Sequence, residues 1–455
     1  MSISKEDEQA IARMYLQILR QRTKDKQNEA YYRGMQDIGN LGIAVPPEVE
    51  QFAFPLNWCR TYTDVIVERQ DVRMILRKGE NSEESDLRQD WDANDLDTEQ
   101  IKFNRDMVVL GRAAISVGAD PHGGIPIIRV ESPKNLTVER DVVTRETTGA
   151  LRVFYDTTGM AETFVLYRPN YTLVTSKKLG KQVQTQRIDH NLGRVPIIVM
   201  YNRSTSDDYN EGESLLNDLK PLVNMAGRVM LQLQLAMETV GTPQKVLLGA
   251  TKKDFEDEDG NPVDPWETYL GAVWAVASDK AKIEQLSGAN LTGFLEIIKM
   301  LAEQASTVTG MPVRMMGQNT ANPAAEGAIR ADESRLVKQI ERLNRSAGTA
   351  WSWALGISEK IRTRKWGDGE IQVLYHDPGT PTEAQKADAM NKLNGNKPVL
   401  SVRGTMVEMG WSQQRIDQEL SWLAEESQPL LHSLDRPFTQ EEPVLSETEQ
   451  AGDTP

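Results

Sequence analysis

This sequence predicts a mixed, mainly helical α+β fold, on three observations. Long stretches carry apolar residues at helical spacing among charged neighbours. A block from residue 113 to 200 alternates and is rich in β-branched residues, and a second short β element interrupts two helical stretches between residues 241 and 289. At 455 residues the chain exceeds one ordinary core, so several packed regions are expected.

Residues 4 to 33 read as a helix because Ile11, Met14, Tyr15, Ile18 and Leu19 recur at helical spacing. After a Gly- and Pro-containing loop, a second helix is expected from Asn57, carrying Cys59, Tyr62, Val65 and Ile66. A third is expected over Leu87 to Leu110, with Trp91, Leu96, Ile101, Met107 and Leu110 on one side. From Ala113 the segments AAISVGA, IPIIRVESP, ALRVFYD, AETFVLYRP and YTLVTS are separated by turn formers, which predicts a small antiparallel β region. It closes on the apolar run from Gly193 to Val199.

Gly212-Glu213-Ser214 then opens a helical stretch to Val240, with Leu215, Leu216, Leu219, Leu222, Val223, Ala226, Val229, Met230, Leu233, Ala236 and Met237 on one stripe. Its length would be about 40 Å, and Pro221 marks either its true start or a kink. Asn217, Asn224, Gly227, Gln232 and Gln234 occupy the other face and suit packing against copies of the same helix. Short strands are expected at VLLG and AVWAVAS, around the acidic segment DFEDEDGNPVDP. A helix then runs from Asn290 to Val308 and stops at Gly310-Met311-Pro312. Beyond a loop over 313–327, Ala328 to Ile361 reads as one helix of roughly 50 Å, with Leu336, Ile340, Leu343, Ala347, Trp351 and Ala354 near heptad spacing. A last helical region, 381 to 426, breaks at 395–398, and the acidic tail from about 434 is expected to be disordered.

Composition narrows the function. The hydrophobic share is 39%, only 6% of residues are aromatic and the mean hydropathy is -0.50, which suits a chain that leaves polar surface exposed or covers it between subunits. No stretch approaches the ~20 apolar residues of a membrane span, and the charged N-terminus does not resemble a signal peptide, so a soluble, non-secreted protein with no membrane partner is expected. The single cysteine, Cys59, excludes an internal disulfide and reads as a small apolar residue. A net charge of -15 argues against wrapping nucleic acid in a basic groove, yet a like-charged wall lets DNA slide past without sticking.

Catalytic signatures are missing. Leu179-Gly180-Lys181-Gln182 lacks the Ser/Thr and first glycine of a phosphate-binding loop, and there is no Gly-x-Ser-x-Gly elbow or His-Glu-x-x-His helix. His122, His190, His376 and His432 lack ligand spacing. The cluster Asp254, Glu256, Asp257, Glu258 and Asp259 fails the calcium-loop pattern, because Phe255 falls where the first ligand must stand. No catalytic residue, metal or cofactor is therefore expected.

Several motifs in order resemble the portal proteins of tailed double-stranded-DNA bacteriophages, of the siphophage type. Tyr31, Tyr32, Arg33 and Gly34 look like that family's Tyr-Tyr-x-Gly element. Trp91, Asn94, Leu96 and Asp97, followed by Leu110, Gly111 and Ile115, look like its Trp-x-x-Asn-x-Leu-Asp element and aliphatic strand. Gly193 to Ile198, followed by Gly212-Glu213-Ser214-Leu215, resembles the approach to the family's first stem helix. Glu326-Gly327-Ala328 resembles its passage from tunnel loop to long wing helix, and Lys397 to Ser401 with Met409 to Ser412 resembles its crown.

The resemblance implies a wing in residues 1–212, stem helices in 213–240 and 290–310 around a clip in 241–289, and a tunnel loop in 311–327. The C-terminal part of the wing would fill 328–380, a crown 381–433 and a tail 434–455. It implies a non-enzymatic ring, usually a dodecamer, at the capsid vertex of the virion, assembled in the host cytoplasm and passing DNA during packaging and ejection. Implied partners are the large terminase, a head-completion or adaptor protein, and the major capsid and scaffold proteins. Gln318, Asn319, Thr320 and Asn322 would face the DNA, and Asp254, Glu256, Asp257, Glu258 and Asp259 would form the clip's partner surface or a solvated hairpin turn. Two other readings remain: a different virion structural or scaffolding protein, and a phage DNA-processing enzyme.

Overall fold

In a computed structural model of the chain, residues 3–37, 55–79, 84–155, 157, 161–176, 184–207, 210–240, 245–248, 282–285, 291–318, 326–367, 369–379, 383–395, 397–411 and 413–434 are described. The chain divides into two compact units, Met1–Glu80 with Glu84–Gly379, and Asn81–Glu83 with Thr380–Pro455.

The larger unit begins with α1 (Lys5–Arg33). Ser4 accepts from the Asp7 amide at 3.1 Å to start it, and Gly34, in the left-handed region at φ 69°, ends it. Ala10, Met14 and Ile18 of α1 pack on Leu151, Val153, Leu166 and Leu173 of a five-stranded antiparallel sheet. Its strands, β4 (Leu136–Arg140), β5 (Thr147–Tyr155), β6 (Ala161–Tyr167), β7 (Tyr171–Ser176) and β8 (Gln184–Asp189), follow in sequence order. A second sheet, in the order β3-β2-β9, joins β2 (Arg112–Gly118) to β3 (Ile127–Glu131) and β9 (Ile197–Tyr201).

Two other helices were expected where the chain folds α2 (Trp58–Val67) and a broken rod, α3 (Ser85–Ala93) and α4 (Leu96–Val109). The single helix predicted over Leu87 to Leu110 is interrupted because Asp95 takes φ 50°. The break frees Asn94 to pair with the open edge of β3, its amide donating to the Pro126 carbonyl at 3.0 Å and accepting from the Ile128 amide at 2.9 Å. Trp91 and Asp97, on either side, are tied by an indole hydrogen bond of 2.8 Å. The Trp-x-x-Asn-x-Leu-Asp element is thus a helix break that closes a sheet edge.

The stem-like stretch forms α5 (Lys220–Val240) and α6 (Thr292–Thr309), with a two-stranded ladder of β10 (Lys245–Leu248) and β11 (Lys282–Gln285) between them. The first of these helices starts at Lys220, not at residue 213. Pro221 lacks an amide hydrogen and so fits a first turn, while Leu215 to Leu219 fold as turns beneath it. VLLG supplies β10, and AVWAVAS lies outside the described residues.

Then comes α7 (Glu326–Thr363), whose 38 residues span about 57 Å. Leu336, Ile340 and Leu343 join one core with α5 and α6, and Ala347, Trp351, Ala354 and Ile357 join another with Trp91, Phe103 and Ile115. In the latter, the Trp91 and Trp351 rings meet edge-on with centroids 5.2 Å apart. The pairing of β1 (Val72–Arg77) with β12 (Ile371–Tyr375) was not expected; nor were β4 and β8.

In the smaller unit, α8 (Glu383–Asn394), α9 (Val402–Glu408) and α10 (Gln413–Leu434) replace one broken helical region. Ser401 caps α9 by accepting from the Gly404 amide at 3.0 Å, and Gly410, at φ 83°, turns the chain after it. The tail from 435 lies outside the described residues.

Candidate functional site

The paired rods α5 and α6 stand on a junction where two backbone segments cross. Gly111, at φ 74°, meets Glu213 so closely that an added Cβ would lie 2.5 Å from the Glu213 carbonyl carbon; a Cβ on Gly212 would lie 1.9 Å from the Gly111 oxygen. No side chain fits at either glycine. Asn202 fastens the crossing, its amide donating to the Gly111 oxygen at 2.8 Å and its side chain donating to the Glu213 oxygen at 3.1 Å. Leu215 N–H and Ser214 Oγ both donate to the Val108 oxygen, at 3.0 and 3.3 Å. Gly111 and Gly212-Glu213-Ser214 are therefore one structural element made from two sequence motifs.

A third motif braces the same base. Tyr31 Oη and the Asn224 side chain of α5 exchange hydrogen bonds at 2.7 and 2.9 Å, and Tyr32 Oη donates to Asp64 at 3.2 Å. Lys220 Nζ lies 5.5 Å from the Tyr31 ring centre and donates to Asn28 and Asn217; burial lowers its pKa. Cys59 is fully buried beside this base, and desolvation pushes its thiol up to about 12, which leaves it an apolar packing group.

Cover differs along the rods. Near the base, Leu216, Leu219, Val223, Ala226, Leu301, Ala302 and Ala305 are sealed in one core. Farther out, Met237 is 55% exposed, Leu295 53% and Met300 47%, and from Thr292 to Met300 no residue is buried. Of the residues expected on the outer face of α5, only Gln232 is exposed: Asn224 bonds to α1 and Gly227 is buried. At Asn224 the packing against copies expected of that face is thus replaced by a contact inside the chain, with Tyr31 of α1.

The segment after α6 is pinned before it leaves the described residues. Gly310, at φ 73°, ends α6, and Met311 and Met316 are buried in the core with Met315 packed against it. Arg314 binds Glu333 of α7, which also accepts from Arg69 at 3.1 Å. This partly buried Arg-Glu-Arg triad was missed in the sequence, since Arg69 and Glu333 lie far apart in the chain with no local pattern linking them.

Gln318 follows Gly317 and is partly exposed. Asn319, Thr320 and Asn322, and all of Asp254, Glu256, Asp257, Glu258 and Asp259, lie outside the described residues. Among the described residues no group of three or more His, Cys, Asp or Glu side chains is placed to hold a metal, and no helix is long and apolar enough to cross a membrane.

Comparison with solved structures first defines the class of fold. The chain superposes on a protein of the neck of an empty GTA particle with a TM-score of 0.51, at 12% identity, covering 82% of this chain and 95% of that one. The family follows from sequence. The model described as phage portal protein, SPP1 Gp6-like, matches residues 16–429. Portal proteins of Mycobacterium phages L5 and D29 are each 31% identical to this chain, over 416 and 420 residues, covering 88% of it and 85% of themselves. The chain belongs to the SPP1 Gp6-like family of phage portal proteins, which are structural rather than enzymatic proteins of the phage particle.

Proposed function

We propose that copies of this chain close into a ring, a dodecamer, at a capsid vertex, and that α5 and α6 line an axial channel through which double-stranded DNA is packaged and ejected. One observation carries this reading: the outer halves of two amphipathic rods keep Leu295, Met300 and Met237 uncovered within a single chain. Exposed apolar side chains on such rods are stabilised when a neighbouring copy covers them. Electron microscopy with mass measurement of the purified chain tests it. Closed rings are expected; a clean monomer at high concentration, with these flanks still exposed, would overturn it.

Within that ring the parts take the domains of the family. Residues 1–212 and 328–380 form the wing, 213–240 and 290–310, with α5 and α6, the stem, 241–289 the clip, 311–327 the tunnel loop, 381–433 the crown and 434–455 an acidic tail. The clip, through Asp254, Glu256, Asp257, Glu258 and Asp259, meets basic surfaces of the large terminase and then of a head-completion or adaptor protein. The wing meets major capsid and scaffold proteins, during assembly in the host cytoplasm. Gln318, Asn319, Thr320 and Asn322 touch passing DNA through neutral polar groups, which hydrogen-bond phosphates without the grip of lysine. Deleting Gln318 to Asn322 is expected to impair DNA filling or retention while rings persist; normal filling would remove that loop from the channel.

A further inference from the structure

The C-terminal end of α7 gathers cations that no carboxylate among the described residues neutralises. Lys360 lies in its last turn, Arg364 and Lys365 follow it, and Arg194 arrives from the turn before β9. The Arg194 guanidinium carbon is 5.3 Å from the centre of the Trp366 ring, and Lys360 Nζ is 5.9 Å from it. Trp366 is 42% exposed, and Arg194, Arg364 and Lys365 are exposed with it. None of these four cations forms an ion pair among the described residues. Among the described residues, three carboxylates of this region are already engaged: Glu359 with Arg77, Glu370 with Lys78 at 2.8 Å, and Asp86 with Arg362 at 2.9 Å.

Cations at a helix C-terminus complement its dipole, and that accounts for Lys360, whose ammonium donates to the Arg364 oxygen at 2.7 Å. It does not account for Arg194, which comes from a different segment. Nor does it account for Arg364, which holds φ 64°, a conformation that glycine takes freely and a side chain disfavours. Cation-π contact holds Arg194 and Lys360 each against the same ring. The result is a preformed positive surface on a chain whose net charge is -15.

We propose that Arg194 and Lys360, set against Trp366, together with the exposed Arg364 and Lys365 that precede it in the chain, form a docking surface for an acidic, carboxylate-bearing segment of another protein. Two observations favour such a segment over nucleic acid. The indole already has cations beside it and serves as their support, so it is not a free platform for stacking a base. A duplex carries a phosphate charge every ~1.7 Å and would extend past the patch into the field of an acidic chain, whereas a short acidic peptide meets only the local charge.

The test uses the full chain and a fluorescently labelled peptide of alternating glutamate and serine, with its glutamine counterpart and a labelled DNA duplex as the other arms. Anisotropy is expected to report binding of the glutamate peptide alone, lost at about 1 M salt, where the screening length falls to ~3 Å. The double variant Arg364→Gly with Lys365→Gln relieves the positive φ while removing two cations. It should melt no lower than the parent and bind the peptide roughly tenfold more weakly. Arg194→Gln, remote in sequence, should weaken binding too. Undiminished peptide binding by both variants would overturn the proposal, and so would a patch-dependent signal from the duplex alone.

Discussion

The two halves of the rods α5 and α6 are equally apolar in sequence and differ in what covers them. At the base, Leu219, Val223, Leu301 and Ala305 meet α2, α4 and α7 and are sealed. Outward, Leu295, Ile297 and Met300 of α6 meet solvent. Each fully buried aliphatic side chain contributes about 1.5–3 kcal/mol, so the base stabilises the single chain while the outer flank holds that driving force for association. An amphipathic stripe states that a face must be covered. It does not state whether the cover belongs to the same chain.

Substitutions can break or sharpen this contrast. The largest effect is expected from Gly212→Val at the base, where a Cβ would overlap the Gly111 backbone oxygen and nothing flexible can yield. The loss should exceed about 4 kcal/mol, visible as failure to obtain folded protein by circular dichroism. Leu216→Ala, in the same core, should cost about 2–5 kcal/mol in thermal or urea unfolding. Glu333→Gln, which strands Arg69 and Arg314, should cost about 3 kcal/mol in urea unfolding and loosen the segment after α6, read as faster proteolysis there.

A smaller effect at the base depends on pH. Burial raises Asp106 from 3.8 to about 6, with the Arg105 and Lys134 charges opposing and Glu29 assisting the shift. The folded chain protonates this carboxyl more readily than the unfolded chain, so its destabilising effect appears as pH rises through about 6 and is absent below 3.8. Asp106→Asn should therefore raise the melting temperature at pH ~8, by an amount worth at most about 3 kcal/mol, and leave it unchanged below pH ~4. The smallest effect on stability is expected on the outer flank. Leu295→Gln with Met300→Gln should alter unfolding of the isolated chain by no more than ~0.5 kcal/mol, yet abolish rings in sedimentation. A large fall in monomer stability instead would mean that the flank is covered within the chain.

Much of this was legible in the residues, and particular positions show where legibility stopped. The helical periodicity of residues 4–33, 290–308 and 328–361 yields α1, α6 and α7 to within a few residues, because burial of one face at 3.6-residue spacing leaves a local record. Glycines 34 and 310 end helices as C-caps do. The break at Asp95 was not legible, since it depends on Asn94 finding β3 more than thirty residues later. Strand β8 escaped because Gln184, Gln186, Arg187 and Asp189 bury neither face and so show no alternation. The pairing of β1 with β12 joins distant segments, and no local pattern announces such a partner.

The sequence by itself determined the kinds of element, their order, the acidic balance and the family motifs, since each follows from short-range propensity or composition. Only the tertiary structure decided what those motifs do: that Gly111 and Gly212 form one crossing, that Tyr31 braces Asn224, and that Glu333 holds two arginines. It also decided which apolar residues stay uncovered and which cations gather around Trp366. Those outcomes depend on approach between residues far apart in the chain, and spacing along a chain carries no information about distance once it folds.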